Sequence, residues 1–340
     1  LACVCGEEVR IYDPVAGGAA LVVIDVGSSV YALAIFKDPA TGEPRLACAA
    51  GRKGVCIFDP VAGGEALLLI DAGDPVYALA VFTDPATGAP RLASGSRDGK
   101  VRVYDPIAGG EALLVIEVGD KVEALGVFKD PATGAPRLAC ASGTKVLVFD
   151  PVAGGEALLV LDIGSYVWAL AVFTEPATGA ARLACGCRDG KLRVFDAVSG
   201  GDPLLVLDAG SYRVLALVAF KDLTTGAPRL ACGSEDNKVR VFDPVAGGEA
   251  LVVLDVRAAA LTAFTDPTTG EPRLVSGSNG GVRVWNPAAS DAAIEAEADG
   301  NSDRVKALVT FVDPATGALR VATLSGDKEI RVWDAETGGA

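Results

Sequence analysis

Apolar residues run along this chain in short bursts, and each burst ends at Gly, Pro, Asp or Thr. Residues 77–82, 91–96, 100–104 and 112–116 make one set of four bursts. The turns between them hold Asp84-Pro85, Thr87-Gly88, Asp98-Gly99 and Gly109-Gly110. Pro fixes φ and Gly accepts positive φ, so these dipeptides reverse the chain. Runs this short, rich in Val, Leu and Phe, predict β-strands rather than helices. We label them a, b, c and d in chain order. Most are apolar on both sides instead of alternating, which predicts sheets covered on both faces.

The set repeats. An Arg opens strand b at positions 45, 91, 137, 182, 229, 273 and 320, a period of 44 to 47 residues. Four short strands per period, repeated along the chain, predict an all-β fold: a β-propeller of four-stranded antiparallel blades. The stretch 93–105, Ala-Ser-Gly-Ser-Arg-Asp-Gly-Lys-Val-Arg-Val-Tyr-Asp, resembles the second and third strands of the WD40-repeat (WD-repeat) family. Trp333-Asp334 is similar to that family's namesake dipeptide, with Trp285-Asn286, Phe195-Asp196 and Phe242-Asp243 as close variants. The resemblance covers essentially the whole chain, and it implies a scaffold for protein–protein interaction. There are departures. The family's Gly-His pair before strand a is replaced by Gly119-Asp120 or Gly164-Ser165, and the chain has no His at all. The family's Asp–His–Ser/Thr–Trp network therefore cannot form, and apolar packing is expected to carry more of the blade stability.

Strands b and c each occur eight times, and the c strands end at Asp13, Asp59, Asp105, Asp150, Asp196, Asp243, Asn286 and Asp334. Strands a and d occur seven times each. This predicts one domain over residues 1–340: an eight-bladed ring whose missing d and a strands precede Leu1. A seven-bladed ring with a redundant b–c hairpin is the alternative.

Charge and composition narrow the function. Lys+Arg number 30 against 44 Asp+Glu, a net charge of −14. Such a protein repels phosphate backbones, so no nucleic acid is expected as partner. No stretch approaches the roughly 20 uncharged apolar residues of a membrane span. Cys3, Cys48, Cys140, Cys185 and Cys232 share one repeated position, where Ser94, Ser276 and Thr323 stand in other repeats. That exchange predicts small buried residues, reduced thiols and an intracellular, cytoplasmic location. Cys185-Gly186-Cys187 and Cys3-Val4-Cys5 have one residue between the thiols, not the two of zinc and redox motifs, so no metal is expected. Residues 95–100 are one residue short of a phosphate loop, and Val101 stands where that loop needs Ser or Thr. Without His there is no Ser–His–Asp set. Neither a catalytic residue nor a cofactor is expected.

Variation between repeats points to the candidate site. The a–b and c–d loops, on the bottom of the ring, recur almost verbatim, as in Asp84-Pro85-Ala86-Thr87-Gly88 and Pro60-Val61-Ala62-Gly63-Gly64. The top loops differ. The second residue of strand a reads Tyr31, Tyr77, Glu123, Trp168, Leu215, Ala259 and Lys306. The b–c turns carry Arg52, Arg97, Thr144, Arg188, Glu235, Asn279 and Asp327, and the d–a loops add Asp74, Asp120, Tyr166, Tyr212, Arg213 and Arg304. Aromatic and Arg side chains on exposed loops are the usual material of hot spots. A top-face surface of Tyr77, Trp168, Tyr166, Tyr212, Arg97, Arg188, Arg52, Tyr31 and Glu123 is thus expected to bind a protein or peptide partner. The competing readings are aromatics that merely plug the channel mouth, a ligand-binding or enzymatic propeller, and a structural module of a larger assembly. The acidic series Asp25, Asp71, Glu117, Asp162, Asp208 and Asp255 reads as solvated charge blunting an outer edge strand. It is too spread out to hold calcium. Asp84 and Arg91 read as an exposed ion pair worth about 0–1 kcal/mol.

Overall fold

The computed structural model describes residues 2–5, 8–11, 22–222, 225–266, 269–278, 281–287, 294–298, 307–312 and 319–323. Asp13, Asn279, Arg304, Lys306, Asp327, Trp333 and Asp334 lie outside them. Six four-stranded antiparallel sheets follow one another, each with its strands side by side in the order a, b, c, d. The first holds Leu33–Lys37, Pro44–Ala49, Val55–Phe58 and Leu68–Ile70. The second holds Val76–Thr83, Pro90–Ser96, Lys100–Tyr104 and Leu114–Glu117. The third holds Val122–Lys129, Pro136–Ser142, Lys145–Phe149 and Leu159–Asp162. The fourth holds Val167–Thr174, Ala181–Cys187, Lys191–Asp196 and Leu205–Asp208. The fifth holds Val214–Lys221, Pro228–Ser234, Val239–Phe242 and Val252–Leu254. The sixth holds Ala260–Thr265, Pro272–Ser278, Gly281–Trp285 and Ile294–Ala298. Strand a of each blade lies against strand a of the next, the radial arrangement of a propeller.

The expected blade count is overturned. The described strands make six four-stranded blades, not eight and not seven. Two b strands that the repeat count assigns to separate blades, Ala2–Cys5 and Leu319–Thr323, share one composite five-stranded sheet with Glu8–Ile11, Val22–Asp25 and Leu308–Val312. Both face Glu8–Ile11. Ala2–Cys5 pairs along its length, and Leu319–Thr323 touches it only at Ile11 opposite Ala322. Two copies of one strand competing for one edge cannot each found a blade. Leu308–Val312 lies against the inner strands of the sixth and the first blades, so this sheet closes the ring.

The core lies between blades rather than within them. Between the third and fourth, Phe128, Val146, Val148 and Leu161 pack on Val167, Leu183, Cys185 and Phe195. Strand b is buried nearly throughout, which explains its small Ala, Cys and Ser residues. The expectation of cover on both faces fails for strand d. Leu113 is 59% exposed and Val115 47%, and Leu158, Val160, Leu204 and Val206 repeat the pattern. Among the described residues no further strand lies outside d to cover them.

The bottom loops are held by a recurring three-membered ion cluster. Arg91 meets Asp84 at 3.1 Å and Asp105 at 3.2 Å, and Arg229 meets Asp222 at 2.9 Å and Asp243 at 3.1 Å. The pair expected to be exposed is in fact largely covered: the Arg91 and Asp84 side chains are 15% and 13% exposed. Each carboxylate also accepts backbone N–H groups in its own turn, from Ala86 to Asp84 and from Ile107 and Ala108 to Asp105. In the first five blades the Asp that ends strand c thereby ties the start of strand b to the c–d turn.

Candidate functional site

The top surface is built on a backbone irregularity. In the second to fifth blades the a–b pairing slips by one residue, between Val76 and Ala78, Val122 and Ala124, Val167 and Ala169, and Val214 and Ala216. The extra residue at each slip is Tyr77, Glu123, Trp168 or Leu215, the variable second position of strand a. A β-bulge frees a side chain from the pleat and re-aims it. One residue per blade can therefore vary without disturbing the ladder.

The loops around each bulge are fixed by short polar links. In the second, fourth and fifth blades the first N–H of the b–c turn bonds a carbonyl of the d–a loop: Arg97 to Pro75, Arg188 to Tyr166, and Glu235 to Arg213. The serine ending strand b does the same, as Ser142 Oγ donates to the Asp120 carbonyl at 2.9 Å and Ser234 Oγ to Tyr212 at 3.3 Å. An arginine stands in for the absent histidine. Arg102, Arg193 and Arg240 each grip the b–c turn aspartate four residues earlier: Asp98, Asp189 and Asp236, at 2.7, 2.6 and 2.6 Å. Arg240 Nη1 also donates to the Ala209 carbonyl at 2.7 Å, which reaches the neighbouring d–a loop. Burial pushes the Asp98 and Asp189 carboxyls up, but the arginine and turn N–H bonds outweigh it and hold both below the usual range. The sixth blade keeps one link of the family network, Trp285 Nε1 to Ser276 Oγ at 2.8 Å.

The nine expected residues fall into two groups. Tyr166, Trp168, Arg188 and Tyr212 line one open depression of about 600 Å³, together with Lys121, Ser211, Arg213 and Glu235. Tyr166 and Trp168 pack with ring centroids 5.2 Å apart. Lys121 Nζ lies 5.2 Å from the Tyr166 ring and 5.7 Å from the Trp168 ring, and the Arg213 guanidinium lies 5.3 Å from Trp168. Cation–π contacts of this kind hold a half-buried indole in place. Glu123 anchors the rim: it accepts from Tyr166 Oη at 2.9 Å and pairs with Lys121. Burial raises the Tyr166 pKa, and the Glu123 hydrogen bond raises that of Lys121, so both keep their protons at neutral pH. Arg213 pairs with Glu235. The Trp168 Nε1–H is buried without an acceptor. An unmade hydrogen bond of this sort costs about 1–3 kcal/mol.

Tyr31 and Tyr77 form a separate edge-to-face pair, 5.4 Å between centroids. Arg52 and Arg97 sit exposed on the b–c turns of the first two blades. Neither borders the depression. Sequence reasoning missed Lys121 and Ser211. Nothing in the repeat singles out position 121, because its role depends on the aromatics of the next loop. The acidic series proves structural: Asp25, Asp71, Asp162 and Asp208 accept the N–H of the Gly two residues on, which caps the d–a turn. Glu117 and Asp255 pair with Lys100 and Lys238 instead. The Asp-x-Gly spacing carried that signal.

Among the described residues no group of Cys, Asp and Glu is placed to hold a metal ion, and no helix is long and apolar enough to cross a membrane. Cys48, Cys56, Cys140, Cys185, Cys187 and Cys232 are free and buried.

A family model described as "WD domain, G-beta repeat" matches residues 69–105, which span strands d of the first blade to c of the second. No curated protein matches the chain in sequence. Among solved structures, the chain is similar to BBS1N crystallised in complex with ARL6DN and soaked with lead. The two are 18% identical over 94% of this chain and 97% of that one, with a TM-score of 0.67. The mercury-soaked crystal of the same complex gives a TM-score of 0.66. A computationally designed protein, Ika8, is 23% identical over 95% of this chain and 89% of its own, with a TM-score of 0.63. At these identities the likeness shows the fold alone. The repeat match and the radial blades together show a β-propeller that carries a WD-type repeat at residues 69–105.

Proposed function

We propose that this propeller is a non-catalytic platform that binds a protein or peptide partner through its top face, centred on Trp168. WD40 propellers are in general interaction scaffolds. The observation that carries the reading is the depression where the third, fourth and fifth blades meet. Its aromatics and cations come from four separate top loops and project from a rigid frame. Rigid aromatic anchors beside unpaired arginine are the arrangement of interface hot spots. The bottom loops, by contrast, spend their charges on each other.

A pull-down from native lysate tests the proposal. The native chain is compared with Trp168→Ala and with a bottom-face control, Val152→Ala, each shown folded by circular dichroism. The expected result is a stoichiometric partner kept by the native chain and the control and lost by Trp168→Ala. A partner kept by all three places the interface off the top face and overturns the reading.

A further inference from the structure

The depression carries a chemical preference, and this inference rests on the platform reading above. Three cations line it: Lys121, Arg188 and Arg213. Two are already neutralised, Lys121 by Glu123 and Arg213 by Glu235. Arg188 has no ion pair or side-chain hydrogen bond among the described residues, and it is exposed. The lining thus holds one uncompensated positive charge on a chain whose net charge is −14. Lys121 already lies over both rings of the aromatic pair and Arg213 over Trp168, so the chain's own cations compete with an incoming Lys or Arg for these rings. The group left open to an incoming segment is therefore the Arg188 guanidinium.

We infer that the top-face depression binds an acidic peptide segment of a partner protein, with an Asp or Glu carboxylate of that segment on the Arg188 guanidinium. A guanidinium fork matches a carboxylate in a bidentate pair. The exposed Tyr212 ring and the Tyr166–Trp168 pair supply apolar contact on either side for the residues flanking it. The overall negative field keeps long anionic polymers away, while one short carboxylate reaches a local cation.

The test is selection from a random eight-residue peptide display library on the purified full chain, repeated with Arg188→Ala and with Trp168→Ala. The expected consensus has at least one fixed Asp or Glu between apolar positions. A synthetic consensus peptide should lose tenfold or more in affinity to Arg188→Ala, or when its acidic residue becomes Asn or Gln. Affinity should also fall as salt is raised. Several results would overturn the inference: a Lys- or Arg-rich consensus, a consensus without charge preference, or an acidic consensus that binds Arg188→Ala equally well. If such a consensus still loses binding to Trp168→Ala, the platform stands and only the ligand class falls. If no peptide is enriched and no lysate partner depends on Trp168, both readings fall.

Discussion

At the scale of single residues, each repeated arginine at the start of strand b does more than a surface ion pair. Arg229 lies between Asp222 and Asp243, with all three side chains no more than 26% exposed. Replacing it by Met keeps the aliphatic stem and leaves two carboxylates facing each other. Both retain turn N–H donors, from Thr225 to Asp222 and from Val245 and Ala246 to Asp243. Those donors soften the loss, so Arg229→Met should cost about 1–2 kcal/mol rather than the larger penalty of a stranded buried charge. Urea denaturation followed by circular dichroism measures it. A change within experimental error would return the cluster to the status of an exposed pair. The sequence made the Asp–Arg pairing legible through its fixed spacing. The second aspartate was hidden, because Asp105 reads as the end of strand c and only the pairing of b with c brings it beside Arg91.

At the scale of elements, the strands were legible and the bulge was not. Strand c was expected at 100–104 and is found there, while strand d begins at Leu114 instead of 112. Strand a reads as an unbroken apolar run, so nothing local marks Trp168 as the residue left out of the ladder. A bulge is a property of two strands paired, and the sequence of one strand cannot announce it. The b–c turns show the same dependence on a neighbour. Gly190 and Gly179, both in the fourth blade, have φ of +76° and +71°. A Cβ on Gly179 would meet nothing within 4 Å, whereas one on Gly190 would lie 1.9 Å from the Gly210 carbonyl oxygen. Gly179→Ala should therefore cost only its left-handed strain, about 1–2 kcal/mol. Gly190→Ala must also push apart the b–c turn and the next d–a loop, and it should be the more destabilising by at least about 1 kcal/mol. It should disturb top-face binding too, since Arg188 and Tyr212 sit on those two loops. Thermal melts of the pair decide this, and equal losses would mean the top loops are free to separate.

At the scale of the whole molecule, blade number escaped the sequence because a repeat count assumes that every copy of a strand owns a blade. The pairing of Ala2–Cys5 and Leu319–Thr323 with the same neighbour breaks that assumption. Charge also acts globally, and two effects oppose each other. Lowering the pH from 7 towards the isoelectric point of about 4.5 discharges a chain of net −14 and relieves self-repulsion, which favours the folded ring. Against it stand aspartates of the second, third and fourth blades. The Asp84 carboxyl is held below its usual range by the Ala86 N–H, and Asp130 by that of Ala132. In Asp196, the Ser199 and Val198 N–H groups and Arg182 outweigh the upward push of burial. A carboxylate with a depressed pKa in the fold adds stability that is fully present above its unfolded pKa, about 3.9 for Asp, and is lost as pH falls through the lower folded value. Above about pH 5 these groups are ionised in both states and contribute no slope, so the relief of repulsion governs. Below about pH 4 the unfolded chain takes up protons that the folded one refuses, and the same small loss recurs in the second, third and fourth blades. The midpoint of thermal unfolding should thus hold or rise slightly from pH 7 to 5 and then fall steeply towards pH 3. Calorimetry across that range measures the curve, and Arg182→Met, which removes one of the groups that hold Asp196 ionised, should flatten its acid limb. A midpoint that keeps rising to pH 3 would mean that self-repulsion, and not the rim carboxylates, sets the acid stability of the ring.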